Sequence, residues 1–461
     1  MSNKQARIGK RDHTLWSTTP YVMVNDTVHY GQRHRTLLPT TPYATSKTYK
    51  RMTRLVFIFT LTLMFVLPSH AKDEQPDDAF NRKALMKEVK ASLKSKNYAQ
   101  ADNQIKQAKE KYAEASQDAE INNIHMNVVH HLAEAENRKI FLNNKPDTTA
   151  FLNQIYRVYQ LGILCDSIDV QPDKKGRIRP RYTENIKERL QFYRRNMRSA
   201  GIYFYKKQNY KDALRFIDMY IGTKDSPLIA NNDTAQERNI YSLAVFSAYG
   251  AENYTAVKTY LPMCKDDTTH TSLLHQIASK TYMATGDTLT ALTYLQSGWE
   301  KDPMKDYFYL TLIHYYIDHN EYDEALAVIN SQLDREPENA QLWYIKGKCL
   351  QCEEQWDEAI HAYEQALYIN DDNAEALSSM GEIYVTQAHD AYHSNKAKVG
   401  TKQYQQSRKK QTQLYTKAME VLEKARAIKP DETKLWLTNL SEAYYKLNKG
   451  KELKELEKLL Q

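Results

Sequence analysis

Apolar residues recur every three or four positions along most of the chain after residue 78, the spacing of helices that bury one face. The pattern is sharpest from Ala340 to Asn373. Trp343, Gly347 and Leu350 mark one helical stripe, and Trp356, Ala359, Tyr363 and Ala366 mark a second, beyond a polar turn around Glu353 to Gln355. Two helices joined by so short a turn fold back antiparallel. Small residues at Gly347, Ala359 and Ala366 let them approach closely, while Trp343 and Tyr363 fill the space beside them. The frame repeats with a 34-residue period. One unit begins at Asp306, with Tyr309, Leu312, Tyr316, Ala325, Ile329 and Pro337. Another begins at Ser272, with His275, Ala278, Tyr282, Ala291, Leu295, Gly298 and Pro303. A further unit starts on frame at Ala374, with Leu377, Met380, Gly381 and Tyr384.

These units resemble the tetratricopeptide repeat, a large–small–aromatic helix followed by an Ala–aromatic–Ala helix, often closed by Pro. Asp371 stands where that Pro is frequent in the Ala340 unit. The resemblance implies an all-α fold, a tetratricopeptide-repeat α-solenoid: a right-handed superhelix of antiparallel helix pairs around a concave groove. One pair cannot bury its own apolar face, whereas stacked neighbours can.

The rest of the chain divides around this array. Residues 72–192 read as degenerate N-terminal helix pairs: Asp78 to Tyr112, then Asp118 to Leu142 with Thr148 to Ile163, closed by a loop from Cys165 to Pro180. Residues 193–271 read as divergent units, with Met197, Gly201, Phe204, Tyr210, Ala213, Ile217 and Tyr220 on frame, a loop from Thr223 to Asp233, and a looser pair from Ile240 to Met263. Residues 272–386 are the regular units. In the Ala374 unit the second-helix pattern returns only at Ala418, Leu422 and Ala425, 25 residues late. Two lengthened helices turning near Lys398 to Thr401 account for residues 387–417, with Gly400 able to end a helix. Residues 418–461 supply the last repeat helices, Leu435 to Leu447 among them, and a capping helix from Lys451 to Leu460 with Leu453, Leu456, Leu459 and Leu460 on one side.

Composition suits such an array: 34 Tyr and only 13 Gly in 461 residues leave many aromatic knobs and few breakers. The net charge of +7 has a local origin. Residues 1–71 hold ten Lys/Arg and two Asp/Glu, which leaves 54 basic against 55 acidic residues in the remainder. No nucleic-acid partner is therefore inferred from charge. Arg51 and Arg54 precede thirteen apolar or Thr residues, Leu55 to Leu67, followed by Pro68 and Ser69-His70-Ala71. This is the pattern of a secretory signal over residues 52–71, cleaved after Ala71. Thirteen helical residues rise only about 20 Å, short of the ~30 Å hydrocarbon core; an uncleaved anchor is the alternative. The expectation is an exported protein of the periplasm, without a lipid-bearing Cys near the cleavage site and without a transmembrane segment in the mature chain. Residues 1–51 show no helical periodicity and read as a non-native stretch before a true start at Met52, or as a disordered extension.

Candidate chemistry is sparse. Cys349 and Cys352 form a C-x-x-C near the end of a helix, where the helix dipole does not favour a thiolate; packing residues, a structural disulfide or a redox pair are the readings open. His389 and His393 stand four apart with Asp390 between them, an imperfect echo of a zinc-binding helix. His125, His130 and His131 lack a ligand spacing and are expected on and beside an apolar helix face. Lys174, Lys175, Arg177, Arg179 and Arg181 form a basic loop, either solvated or an anionic contact surface. No phosphate loop, nucleophile elbow or paired-carboxylate motif occurs, so no catalytic residue, metal or cofactor is assigned.

The resemblance implies instead a groove lined by the first helix of each unit, binding a segment of another protein. Carried over, its positions fall on Leu273, Gln276 and Lys280, on Tyr307, Leu310 and His314, and on Gln341, Tyr344, Lys348 and Gln351. The second candidate surface is the 387–417 hairpin. Its seven basic residues, Lys396, Lys398, Lys402, Arg408, Lys409, Lys410 and Lys417, meet one acid, Asp390. It is either a solvated decoration or an arm for peripheral contact with an acidic protein face or an anionic membrane. A non-enzymatic interaction scaffold is thus the first expectation, envelope docking through the hairpin the second, and a metal or thiol enzyme the third.

Overall fold

The computed structural model describes residues 79–142, 145–173, 175–229 and 239–458. The described residues belong to one compact unit, Gln75–Gln461. The 1–51 extension and the 52–71 signal lie outside the described residues, as do Lys174, the end of the Thr223 to Asp233 loop, and Leu459 and Leu460.

The described residues form nineteen α-helices and no strand. The first pair is α1 (Arg82–Lys94) and α2 (Tyr98–Lys111), followed by the single turn α3 (Ala113–Ser116). Next come the long α4 (Ala119–Phe141) and α5 (Thr148–Asp169), then α6 (Thr183–Lys206) with α7 (Tyr210–Gly222), and α8 (Ile240–Gly250) with α9 (Tyr254–Tyr260). The regular pairs are α10 (Thr271–Ala284) with α11 (Thr288–Lys301), α12 (Asp306–Asp318) with α13 (Tyr322–Leu333), and α14 (Ala340–Cys352) with α15 (Trp356–Ile369). They lead to α16 (Ala374–His393) with α17 (Lys402–Ile428), then α18 (Leu437–Lys446) and α19 (Gly450–Glu457). Each helix packs mainly on its neighbours in sequence, and first helices also touch across repeats, α8 on α10, α14 on α16 and α16 on α18. This is the nearest-neighbour packing of a tetratricopeptide-repeat α-solenoid. The N-terminal pairs stack continuously on the rest, since one core runs from Ala119 through Tyr193 to Ala244.

The repeat frame has a physical basis in one contact. A Cβ on Gly347 would stand 2.5 Å from the ring of Tyr363, sixteen residues on. Tyr363 is fully buried against that bare backbone. Gly201 meets Ile217 in the same way, again sixteen residues apart and at 2.6 Å. Gly381 meets Leu422 at 2.5 Å, the same contact displaced by 25 residues. The extra length lies in the hairpin: α16 has 20 residues and α17 has 27, against 13 and 14 in the preceding pair.

The turn inside seven of the pairs is equally regular. Lys96, Gln208, Glu252, Asn320, Glu354 and Asn448 all adopt φ between 56° and 58°, and Gly286 takes 78° at the equivalent place. In the Glu354 turn the amide of Gln355 donates to the Leu350 carbonyl at 2.9 Å and that of Glu354 to Gln351 at 3.1 Å, which closes the first helix with a left-handed residue. The next residue opens the second helix: Asn97, Asn209, Asn253 and Asp287 each accept an amide with the side chain.

One boundary differs from expectation. Cys165 does not begin a loop, because α5 continues to Asp169. No Gly or Pro interrupts the helix between Ile163 and Pro172, and the Cys165 thiol is packed in the core, donating to the Ala119 carbonyl at 3.2 Å.

Candidate functional site

The groove positions fall on three successive first helices, α10, α12 and α14. Leu273, Lys280, His314 and Gln341 are exposed, while Gln276, Tyr307, Leu310, Tyr344, Lys348 and Gln351 are half-buried. Contacts between helices explain part of that burial. The Tyr307 hydroxyl lies 3.0 Å from Ser279 Oγ, and the Lys280 ammonium sits 5.1 Å from the Tyr307 ring centre, so α10 and α12 are joined through groove positions. Gln351 accepts from the Tyr363 hydroxyl at 2.7 Å and donates to Glu382 at 2.9 Å, joining α14 to α15 and α16. Tyr344 stands 5.9 Å from the Tyr363 ring, and burial raises its pKa. Tyr307, Tyr344 and Gln351 therefore hold the stack together, whereas Leu273, Lys280, His314 and Gln341 face solvent.

All seven basic residues of the hairpin are exposed. Lys417 lies 5.4 Å from the Tyr384 ring centre, and Ser407 donates to the Ala391 carbonyl at 3.0 Å, which ties the two arms together. His389 does not form a metal edge with His393. Its Nε2 is hydrogen-bonded to Glu442 on α18, which also accepts from the Tyr415 hydroxyl at 3.1 Å, and His393 is exposed.

The four cysteines are free thiols, with Cys165, Cys264 and Cys349 buried and Cys352 exposed. Burial pushes the Cys349 thiol up to about 12, the opposite of what a redox nucleophile needs. The basic loop is tied down on itself: Arg177 pairs with Asp173 at 2.8 Å, and the Arg181 and Tyr182 amides donate to Asp169.

The histidines of α4 depart from the expected apolar face. His125 sits in a buried polar network. Its Nε2 lies 2.8 Å from Asp102, and its Nδ1 lies 3.0 Å from the Lys109 ammonium. Lys109 can only donate, so Nδ1 accepts and Nε2–H donates to the carboxylate. Arg157 binds both Asp102 oxygens at 2.6 and 3.2 Å, and Lys106 adds a contact at 2.7 Å. Burial lowers the His125 pKa to about 4 and that of Lys109 to about 8. Burial raises that of Asp102, but hydrogen bonds from His125, Arg157 and Lys106 outweigh it and hold the carboxyl well below its usual range. The network binds α2, α4 and α5 together. The remaining two histidines, His130 and His131, come within reach of Glu134 on the same helix. Their i, i+3 and i, i+4 spacing to that Glu was the signal available in the sequence.

Among the described residues no helix is long and apolar enough to cross a membrane. No curated protein matches the chain in sequence. Among solved structures, MamA is 19% identical over 41% of this chain and 89% of its own, with a TM-score of 0.32. MamA from Desulfovibrio magneticus RS-1 is 15% identical over 41% of this chain and 97% of its own, with a TM-score of 0.28. The C-terminal part of a TPR repeat-containing protein from Cytophaga hutchinsonii is 12% identical over 54% of this chain and 92% of its own, with a TM-score of 0.33. Two family models match, a tetratricopeptide repeat over residues 282–349 and a TPR repeat over residues 353–387. With α10 to α16 in one frame, residues 282–387 are a run of tetratricopeptide repeats, in general a non-enzymatic, protein-interaction fold.

Proposed function

We propose that the chain is a non-enzymatic interaction scaffold that holds a segment of another protein along the face made by α10, α12 and α14. One observation carries the reading. Contacts of Lys280 and Ser279 with Tyr307 join α10 to α12, and along α10, α12 and α14 Leu273, Lys280, His314 and Gln341 remain exposed. Gln and His can pair with the amides of an extended segment, and Leu273 with the half-buried Leu310 offers apolar contact. A photo-crosslinking side chain placed at His314 or Gln341 tests this, with Tyr368, 88% exposed on α15, as the control position. A protein trapped from the first two positions and not from Tyr368 supports the groove. Trapping at Tyr368 alone overturns it.

The exposed hairpin supports a second reading, peripheral docking on an anionic surface. Replacing Lys396, Lys398, Lys402, Arg408, Lys409, Lys410 and Lys417 by Gln should abolish binding to anionic vesicles and leave crosslinking at His314 intact. We further propose export to the periplasm, on the strength of Arg51, Arg54, the apolar run Leu55 to Leu67 and Ser69-His70-Ala71. N-terminal sequencing of the protein from fractionated cells checks it: a chain beginning at Lys72 supports export, and one retaining Leu55 to Leu67 contradicts cleavage.

A further inference from the structure

We propose that His130, His131 and Glu134 form a binding site for one divalent transition-metal ion, Zn²⁺ foremost. The three residues offer one ligand atom each, all within 4.8 Å of one another. Glu134 is shared between the imidazoles: Oε1 lies 3.5 Å from His130 Nε2 and Oε2 lies 3.0 Å from His131 Nδ1. Ligand atoms about 2.0–2.2 Å from a tetrahedral Zn²⁺ stand roughly 3.3 Å apart. The two His–Glu separations bracket that value, each to a different oxygen, and the whole set lies within 4.8 Å, so side-chain rotation that draws both imidazole nitrogens toward one Glu134 oxygen brings them onto one centre.

The surroundings resemble a supported site more than a surface ion pair. His130 is buried, 4% exposed, at the floor, whereas His131 and Glu134 are half-exposed and leave a way in from solvent. The Nδ1 of His130 lies 2.9 Å from the Tyr193 hydroxyl on α6. With Nδ1–H donating to that oxygen, the Nε2 lone pair faces Glu134, the arrangement in which a second hydrogen bond orients a metal-binding imidazole. His131 is stacked on Tyr98 of α2 with ring centres 4.5 Å apart, and Phe192 of α6 stands edge-on to His130 at 6.0 Å. Three helices thus fix the two rings. Burial and the nearby Arg189 charge lower the His130 pKa, which favours the unprotonated ring that a metal requires. Two imidazoles and a carboxylate suit Zn²⁺, Ni²⁺ or Cu²⁺ better than Ca²⁺ or Mg²⁺, which prefer oxygen donors. Three protein ligands leave one position for water or a donor from elsewhere.

Equilibrium dialysis of the full chain against ZnCl₂ tests the site, with His389→Ala/His393→Ala as the background and circular dichroism as the check on folding. The expected result is one tightly bound ion per chain, unchanged in that background. His131→Ala and Glu134→Gln should each weaken it at least tenfold with helix content retained, since both side chains are half-exposed. Tyr193→Phe should weaken it roughly tenfold through the lost orienting bond. Failure to saturate at one ion per chain, or binding that survives both His131→Ala and Glu134→Gln, overturns the proposal.

Discussion

The helix pairs from α10 to α15 and the pairs from α1 to α5 share one architecture and an apolar core, and differ in the charged network that joins α2, α4 and α5. In the α14 and α15 pair the core is apolar and geometric: Gly347 makes room for Tyr363, and Ala359 and Ala366 are fully buried beside it. Around α2, α4 and α5 the equivalent positions Ala101 and Ile105 are also buried, but beside them lie Asp102, Asn122 and His125, all at most 5% exposed, with Arg157 and Lys109 joined to them. An apolar contact tolerates small changes in register. A bidentate Arg–carboxylate pair does not, and its net worth is modest because both charges are desolvated. A degenerate repeat need not be a loosened one: beside an apolar core of Val89, Ile105 and Val128, the N-terminal pairs add hydrogen-bond geometry.

The largest effect should come from Asp102→Ala. It leaves Arg157 and His125 without their carboxylate and should cost about 3–5 kcal/mol, confined to the N-terminal pairs. Hydrogen exchange measured helix by helix should show α1 to α5 opening while α12 to α15 stay protected. Acidification should separate the same regions next. The folded-state pKa of His125 is depressed from 6.5 to about 4, so the unfolded chain takes up the proton first as pH falls. Stability present above pH 6.5 is then lost, by about 3 kcal/mol at pH 4, with Asp102 adding to the loss at lower pH. Trp299, Trp343, Trp356 and Trp436 all lie in the C-terminal half, and Trp16 lies outside the described residues. Far-UV circular dichroism should therefore fall at higher pH than Trp fluorescence changes, and coincident transitions would contradict the division. Gly347→Ala acts on the C-terminal repeats instead. Its methyl group would press on the Tyr363 ring, at a cost of about 1–3 kcal/mol, seen as faster exchange in α14 and α15 with α2 to α5 unaffected. The smallest effect should be common to both regions: Lys96→Gly and Glu354→Gly each relieve a left-handed backbone and should stabilise by up to about 1 kcal/mol, read from the thermal midpoint.

The sequence made the regular repeats legible because their frame rests on residue size, and size is written in the residue type. Gly347, Ala359 and Tyr363 announce a close approach and its filler. The 25-residue delay before Ala418 was legible for the same reason. The turns were less so, since Lys96, Gln208, Glu252 and Glu354 hold a conformation that their side chains do not favour. The polar network was invisible because Asp102 and Asn122 read as solvent-facing until three helices close over them. Among the groove positions, numbering alone could not separate Tyr307, engaged by Ser279, from His314, which is exposed. His130 and His131 read as two residues of an apolar face because Tyr193, which orients one of them, is 63 residues away.

The hairpin of α16 and α17 has a further consequence. Gly381 and Leu422 make the contact that Gly347 and Tyr363 make, and core contacts continue up the hairpin as far as Ala388 and Leu414, so the stack beneath is indifferent only to what lies beyond them. The arm's length is then a free variable of the molecule. At about 1.5 Å per residue, lengthening or trimming both helices by matched whole turns beyond Ala388 and Leu414 would move the basic tip outward or inward in steps of about 5 Å without altering a core contact below it. A spacer of that kind lets evolution or an engineer tune how far the charge stands from the repeats while the repeats stay as they are.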